Sequence, residues 1–516
     1  MHFSRPKNHL KFLIVLLFCW GTAFSVQAQK NKNREKSAAP AQTYRSELAS
    51  NSFDNEHHVQ ALPDSALLLV SMKRNAWFGK NDFVLTKYDR ALKPVWETRN
   101  EHLPNTGLLF VAAERGKIYL LFSTLTSQKL LLYQVNTNTG LGTVSEHTLP
   151  STDILFKEMA ALNGQVFLSG VNKFTLNMLH LNPQQEEIKL LPAVFGTEKD
   201  LGEFRVDTLS KAVEFVTAAT NGQYAQVQVK RMNSKGDVTG SYFIQPDLNS
   251  RANNTLQPAR LTPGDTLNKL LVGTYGYRTD KYANGLFIST LAGQIAYYDL
   301  YKLSHFFEYL SPGGERRMKA KLARKEERER ALVMEHQVLL HPIMPHPQGF
   351  ALVGEVYYPH YTTLTKGEFR KENGRLPNYN DKRITFDGYQ FTHAIACVFD
   401  HEGNLLWDNT YKLRNLTHAT LDPTLKAGVS PAGNITLVYQ EKDFVWHKTL
   451  KPNISLTNKE KVLVRLQEKT EKMVTSTNEQ IIHWYGSNFI AYGFQRIRPK
   501  QGEARTVFYL QNMAFE

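Results

Sequence analysis

The sequence predicts an all-β chain closed into a ring of four-stranded blades, and three observations carry that prediction. From about residue 50 onward the apolar stretches are short, rich in Val, Leu, Phe and Tyr, and broken every eight to twelve residues or so by Asn, Gly, Asp or Pro, the pattern of strands joined by tight turns. A strand, turn, strand unit recurs along that whole length. The last unit ends about five residues before Glu516, too close for an outer strand of its own, while Thr43–Ser50 stands ahead of the first unit as a strand in need of a partner.

The unit is clearest in Ala396–Trp407 (ACVFDHEGNLLW), where one strand ends at Asp400 and the next begins beyond Gly403. Val84–Asp89 with Pro94–Trp96 repeats the plan, and weaker copies end at Asn136, Asn182, Asn233, Thr290, Gln467 and Gln511. Taken from Asp89 through Asp400 to Gln511, these eight anchors are about 47, 46, 51, 57, 110, 67 and 44 residues apart. A four-stranded blade takes about 40 to 50. The long interval holds a helical insertion at 304–335 and a polar loop insertion at 366–383, and without them it shrinks to one blade. In this plan the chain resembles β-propeller repeat proteins, and the Asp-x-x-Gly-x-x-x-Trp run at Asp400, Gly403 and Trp407 resembles the strand pair of quinoprotein-like and WD40-like blades. The resemblance covers nearly all of residues 50–516, although only Trp96 and Trp407 carry the aromatic signature, and it identifies no specific family. It implies a seven- or eight-bladed β-propeller, eight preferred, with an N-terminal strand closing the last blade.

Ahead of the ring stands an address. Arg5, Lys7 and Lys11 precede an apolar run from Phe12 to Phe24, and Val26-Gln27-Ala28 ends it like a cleavage site. The run is about 13 residues, short of the roughly 20 that span a bilayer, so residues 1–28 read as a Sec-type signal peptide. Residues 29–42 read as a flexible linker, polar and without period, and 43–516 as a single propeller domain. Cleavage removes Cys19, leaving Cys397 as the only cysteine and lowering the net charge from +14 to +11. The periplasm, the outer cell surface and the medium all fit such a chain.

Within the helical insertion, Ser304–Leu310 and Glu315–Glu335 read as a short and a long helix separated by Ser311-Pro312-Gly313-Gly314. The long helix has a thin apolar stripe, Met318 and Leu322 before a charged gap, and reads as largely solvated. The polar loop 366–383 is flanked by aromatic and histidine residues: Glu355, Tyr357, Tyr358, His360 and Tyr361 on one side, Phe386, Tyr389, Phe391 and His393 on the other, with Tyr379 between. Aromatic side chains make large contacts at low entropic cost, so Glu355, Tyr357, Tyr358, His360, Tyr379, Tyr389 and His393 form the candidate binding site. The competing reading is strand packing, which also favours Tyr and Phe. Lys366, Arg370, Lys371 and Arg375 make the neighbourhood basic and point to an acidic ligand.

The sequence carries no G-x-S-x-G, Walker A, C-x-x-C or calcium-loop pattern. His341 and His346 are separated by a proline-rich run that excludes a helical ligand pair, so no metal and no cofactor is expected. A binding or scaffold role follows, with a protein or an anionic polysaccharide as partner. Nucleic acid is not expected, peripheral membrane contact stays open to a basic surface, and the chain is expected to be a monomer. The alternative is a channel-centred enzyme of carbohydrate-active or quinoprotein-like type, which acidic side chains converging in the channel would favour.

Overall fold

The computed structural model describes residues 39–515 apart from 74–80, 103–105, 125–128, 151–153, 174, 187, 192–200, 221–224, 247–253, 265–267, 278–280, 328–334, 364–383 and 453–459. The expected signal peptide, most of the expected linker, the polar loop and Tyr379 lie outside the described residues. The strands form eight separate sheets, each an antiparallel meander. The first strand of each meander is the innermost of its blade: Asn55–Ala61, Thr106–Glu114, Ile154–Leu162, Leu201–Asp207, Asn254–Leu261, Gln337–Leu340, Lys426–Val429 and Lys472–Tyr485 in blades 1 to 8. Blade 6 carries a fifth short strand, Met344–His346, that continues the broken inner strand.

The core confirms the count of eight. Blades twist, so each buries its two faces against its neighbours, and a closed ring has as many seams as blades. Eight apolar clusters occupy eight seams. Leu68 and Val70 of blade 1 meet Ile118 and Leu120 of blade 2, and so on round to Ile490 and Leu510 of blade 8, which meet Leu67 and Leu69 of blade 1. Most anchors fall where one turn recurs. In the hairpin at Asp400, the side chain accepts the N–H groups of Glu402 (2.9 Å) and Asn404 (2.8 Å), and Gly403 takes φ of 91°. Asn233 with Gly236 and Thr290 with Gly293 build the same backbone turn. A short polar side chain opens it and a residue tolerant of positive φ closes it, which is why the sequence repeats Asp or Asn followed by Gly. Gln467 and Gln511 are the exceptions: Gln467 follows the fourth strand of blade 7, Glu460–Leu463, whose third strand ends at Leu450, and Gln511 lies within the strand Arg505–Ala514.

Blade 8 is closed by Arg45–Ala49, which pairs antiparallel with Arg505–Ala514 in the register Arg45 to Gln511 and Ala49 to Val507. Arg45 anchors the clasp: it donates to Glu47 (2.7 Å), to the Arg465 carbonyl (3.0 Å) and to Gln495 (2.8 Å), and lies 4.7 Å from the Tyr509 ring centre. The clasp begins earlier than the sequence boundary, since Ala41 bridges Ala514 and Gln42 bonds to Leu463 and Arg465.

The insertion has two parts with opposite environments. Leu300, Leu303, Phe306 and Phe307 are buried in the seam between blades 5 and 6, where the Asp408 carboxylate accepts the N–H groups of Ser304 (2.9 Å) and His305 (2.8 Å). The helix Pro312–Glu326 is mostly solvated, with Leu322 its one buried residue. Its start differs from the sequence reading, in which residues 311–314 separate two helices. Ser311 caps it by accepting from the Gly314 N–H (3.2 Å), and Pro312 occupies the first helical position, where its missing N–H costs nothing.

Candidate functional site

Blade 6 is built to project. Its second, third and fourth strands run 15, 16 and 14 residues, whereas their counterparts in blade 1 run 7, 8 and 9. The excess forms a crown, Tyr357–Thr363 against Ile384–Phe391, in which register shifts at Val356/Tyr357 and His360/Tyr361 change which face each side chain takes.

On one face of the crown aromatic rings form a ladder. Tyr357 meets Tyr389 edge-on at 5.7 Å, Tyr389 meets Phe386 at 5.1 Å, and Phe386 meets Tyr361 at 5.7 Å. Phe391 extends it inward to Tyr357 at 5.9 Å and to His418 at 5.8 Å. Tyr361 and Phe386 end the ladder 57% and 45% exposed. Burial pushes the Tyr357 phenol up to about 12.

The opposite face is covered. Tyr309 from the insertion stacks flat on His393 at 3.8 Å, and Phe306 lies 5.3 Å from both His393 and His336. Tyr358 closes this box at 6.0 Å from His336. Burial drives the His336 imidazole down to about 4, and burial with the neighbouring His336 holds His393 well below its ordinary value. His393 Nδ1 lies 2.9 Å from the Thr392 hydroxyl.

The sequence-level candidates therefore separate into three environments. Tyr357 and Tyr389 share the ladder. Half-buried Tyr358 and fully buried His393 face the insertion, and half-buried His360 sits 3.3 Å from Asp387. Glu355 is buried near the inner strands, taking His341 Nε2 at 2.7 Å and the Leu425 N–H at 2.9 Å. Sequence reasoning missed Tyr309 and His336 as partners of this cluster. The signal was the apolar density of Ser304–Leu310, which a solvated segment would not need.

Carboxylates do converge near the channel, but accompanied by bases. Glu158 and Glu203 each follow a bulge in the inner strands of blades 3 and 4, and burial pushes both carboxyls up against the opposing charge of arginines. Arg260, from the inner strand of blade 5, donates to the Leu340 carbonyl (2.9 Å), and the Leu261 N–H donates to Glu203 (2.7 Å). Behind them Glu214, fully buried, binds Arg205 (2.9 Å), Arg231 (3.0 Å) and Lys269 (2.5 Å), and Lys269 also reaches Asp207 (2.5 Å). Burial alone would raise Asp207, but the Lys269 hydrogen bond and the Gly264 N–H outweigh it and hold that carboxyl well below its usual range. Each acid has a base beside it, the arrangement of a structural network.

His346 Nε2 meets the Gly433 carbonyl at 2.9 Å, and among the described residues no group of three His, Cys, Asp or Glu is placed to hold a metal ion.

No protein-family model matches the sequence, and no curated protein matches it. Among solved structures, a prolyl endopeptidase is 13% identical over 87% of this chain and 54% of its own, with a TM-score of 0.37. An ACO/RPE65 chimera is 10% identical over 48% of this chain and 61% of its own, at 0.31. Cobalt-substituted Synechocystis ACO is 9% identical over 47% and 64%, at 0.30. The chain thus spans less than two thirds of the length of these neighbours, and likeness at this level assigns neither family nor activity.

Proposed function

We propose that the protein is an exported binding module that captures a protein partner on the aromatic face of the blade 6 crown. The observation that carries this reading is the ladder Tyr357, Tyr389, Phe386, Tyr361, which leaves large apolar rings in solvent on a sheet longer than its blade requires. A monomer gains nothing from such rings, whereas a partner gains rigid contact area at low entropic cost. The leader through Ala28 supports export, and the net charge of +11 left without it supports an acidic partner.

The mature chain, immobilised and exposed to extracellular proteins and to an anionic glycan array, tests this. Tyr361→Ala with Phe386→Ala should weaken capture by about tenfold or more while leaving the melting temperature nearly unchanged, and capture should fall as salt rises. Retention of a glycan in place of a protein would replace the partner class. Unchanged capture by the double variant would move the site off the crown.

A further inference from the structure

A cavity of about 500 Å³ opens at the centre of the ring where the inner strands of blades 8, 1 and 2 meet, away from the crown. Its rim is built by a distortion. In blade 8, Thr477 pairs with Phe494 and Gln480 with Tyr492, so Asn478 and Glu479 together face the single residue Gly493. Asn478 takes φ of 55°, in the left-handed region that strains an L residue. A Cβ at Gly493 would stand 3.1 Å from the Glu479 Cα, so the bulge fits because that residue is glycine. Bulges re-aim side chains, and both Asn478 and Glu479 line the cavity.

Glu479 Oε1 has no hydrogen-bond partner and no surface open to the cavity as it stands, so a ligand would engage it by turning the carboxylate of this cavity-lining residue. Such an acceptor destabilises the fold unless something supplies a donor. Around it the lining is mixed. Gln480 accepts from the Tyr492 hydroxyl (2.6 Å) through its oxygen, which turns its amide toward donation. Gln60 donates to the Ala61 carbonyl (3.1 Å), which leaves its oxygen to accept. His58 pairs with Glu56 at 3.2 Å, and Leu108 to Val111 of blade 2 supply an apolar wall. Neither Lys nor Arg lines the cavity, which disfavours an anion. A cation would engage the two carboxylates and leave the three amides unmatched.

We infer that this cavity binds a neutral, hydroxyl-rich small molecule of the size of a mono- or disaccharide, with Glu479 accepting from a ligand hydroxyl and the apolar wall meeting a ring face. Hydroxyls both donate and accept, as this lining does, and the volume lies within the range of small-molecule sites, about 300 to 1,000 Å³. The site is independent of the crown.

The test uses the whole mature chain, with calorimetry and saturation-transfer NMR against maltose, cellobiose, lactose, sucrose, N,N′-diacetylchitobiose and their monosaccharides, and with spermidine as the cationic probe. At least one sugar should bind, with affinity changing less than about twofold between low and high salt. Asn478→Gly, which relieves the left-handed strain, and Glu479→Met, which removes the orphan acceptor, should each hold or raise the melting temperature while weakening that sugar by about tenfold. The Tyr361→Ala, Phe386→Ala double variant should bind it unchanged. Absence of sugar binding by the parent chain overturns the inference, as does salt-sensitive spermidine binding lost in Glu479→Met. Lower stability in both variants with sugar affinity intact would make the bulge purely structural and equally overturn it.

Discussion

Lys269 is fully buried and is the one cation shared by Asp207 and Glu214, so its removal strands charge where water cannot reach. Lys269→Met keeps the volume and deletes the charge; it should destabilise by about 3 to 5 kcal/mol in urea unfolding, and a change under about 1 kcal/mol would show that Arg205 and Arg231 suffice. At this scale the sequence was legible in composition and opaque in direction. Glu355 and His393 were grouped with Tyr357 and Tyr389 by proximity along the chain, yet strand alternation and the shift at Val356/Tyr357 send them into different environments. A bulge adds one residue to a strand and reverses every side chain beyond it, and no residue type announces it. Asn478 was invisible for the same reason.

The insertion shows how an element can be read correctly in kind and wrongly in weight. Its helix is as thinly apolar as the spacing of Met318 and Leu322 suggests, but the turn before it packs Phe306 and Phe307 into a seam of the ring. Replacing residues 312–326 with a Gly/Ser linker should therefore leave cooperative unfolding and nearly the same melting temperature. Phe306→Ala should cost about 3 to 5 kcal/mol, and an effect as small as that of losing the helix would return the whole insertion to the periphery. Hairpins were legible because Asp400, Asn233 and Thr290 with their glycines fix a turn by local chemistry. The anchor at Gln467 failed because it falls beyond the fourth strand of blade 7, whereas the third strand ends at Leu450, and the sequence after Leu450 lacks the Asp or Asn followed by Gly that signs hairpins such as those at Asp400 and Asn233.

Over the whole molecule, buried neutral histidines set the response to acid. His336 and His447 are held near 4, from 6.5, by burial. Because the folded form resists protonation, their contribution is complete above about pH 6.5 and is lost as pH falls toward 4, on the order of 3 kcal/mol apiece. His305 works oppositely, its pKa raised first by the Asp408 hydrogen bond, and the raised carboxyls of Glu158 and Glu203 also favour acid. The histidines of depressed pKa outnumber these, so the urea midpoint should fall between pH 7 and pH 5, and His336→Phe should flatten that slope. A midpoint constant over this range would mean that these rings reach water in the folded state. The clasp, finally, constrains when the molecule can come into being. Gln511 bonds to the Tyr44 carbonyl across 467 residues, so a strand made ahead of all eight blades waits for its partner until the eighth has been synthesised. Until then seven finished blades stand open at a raw edge, and every incomplete chain is a template for pairing with another. A circular permutant that starts at Asn51 and carries residues 41–50 after Phe515 would remove that wait, assembling blade 8 from neighbours in the order they appear.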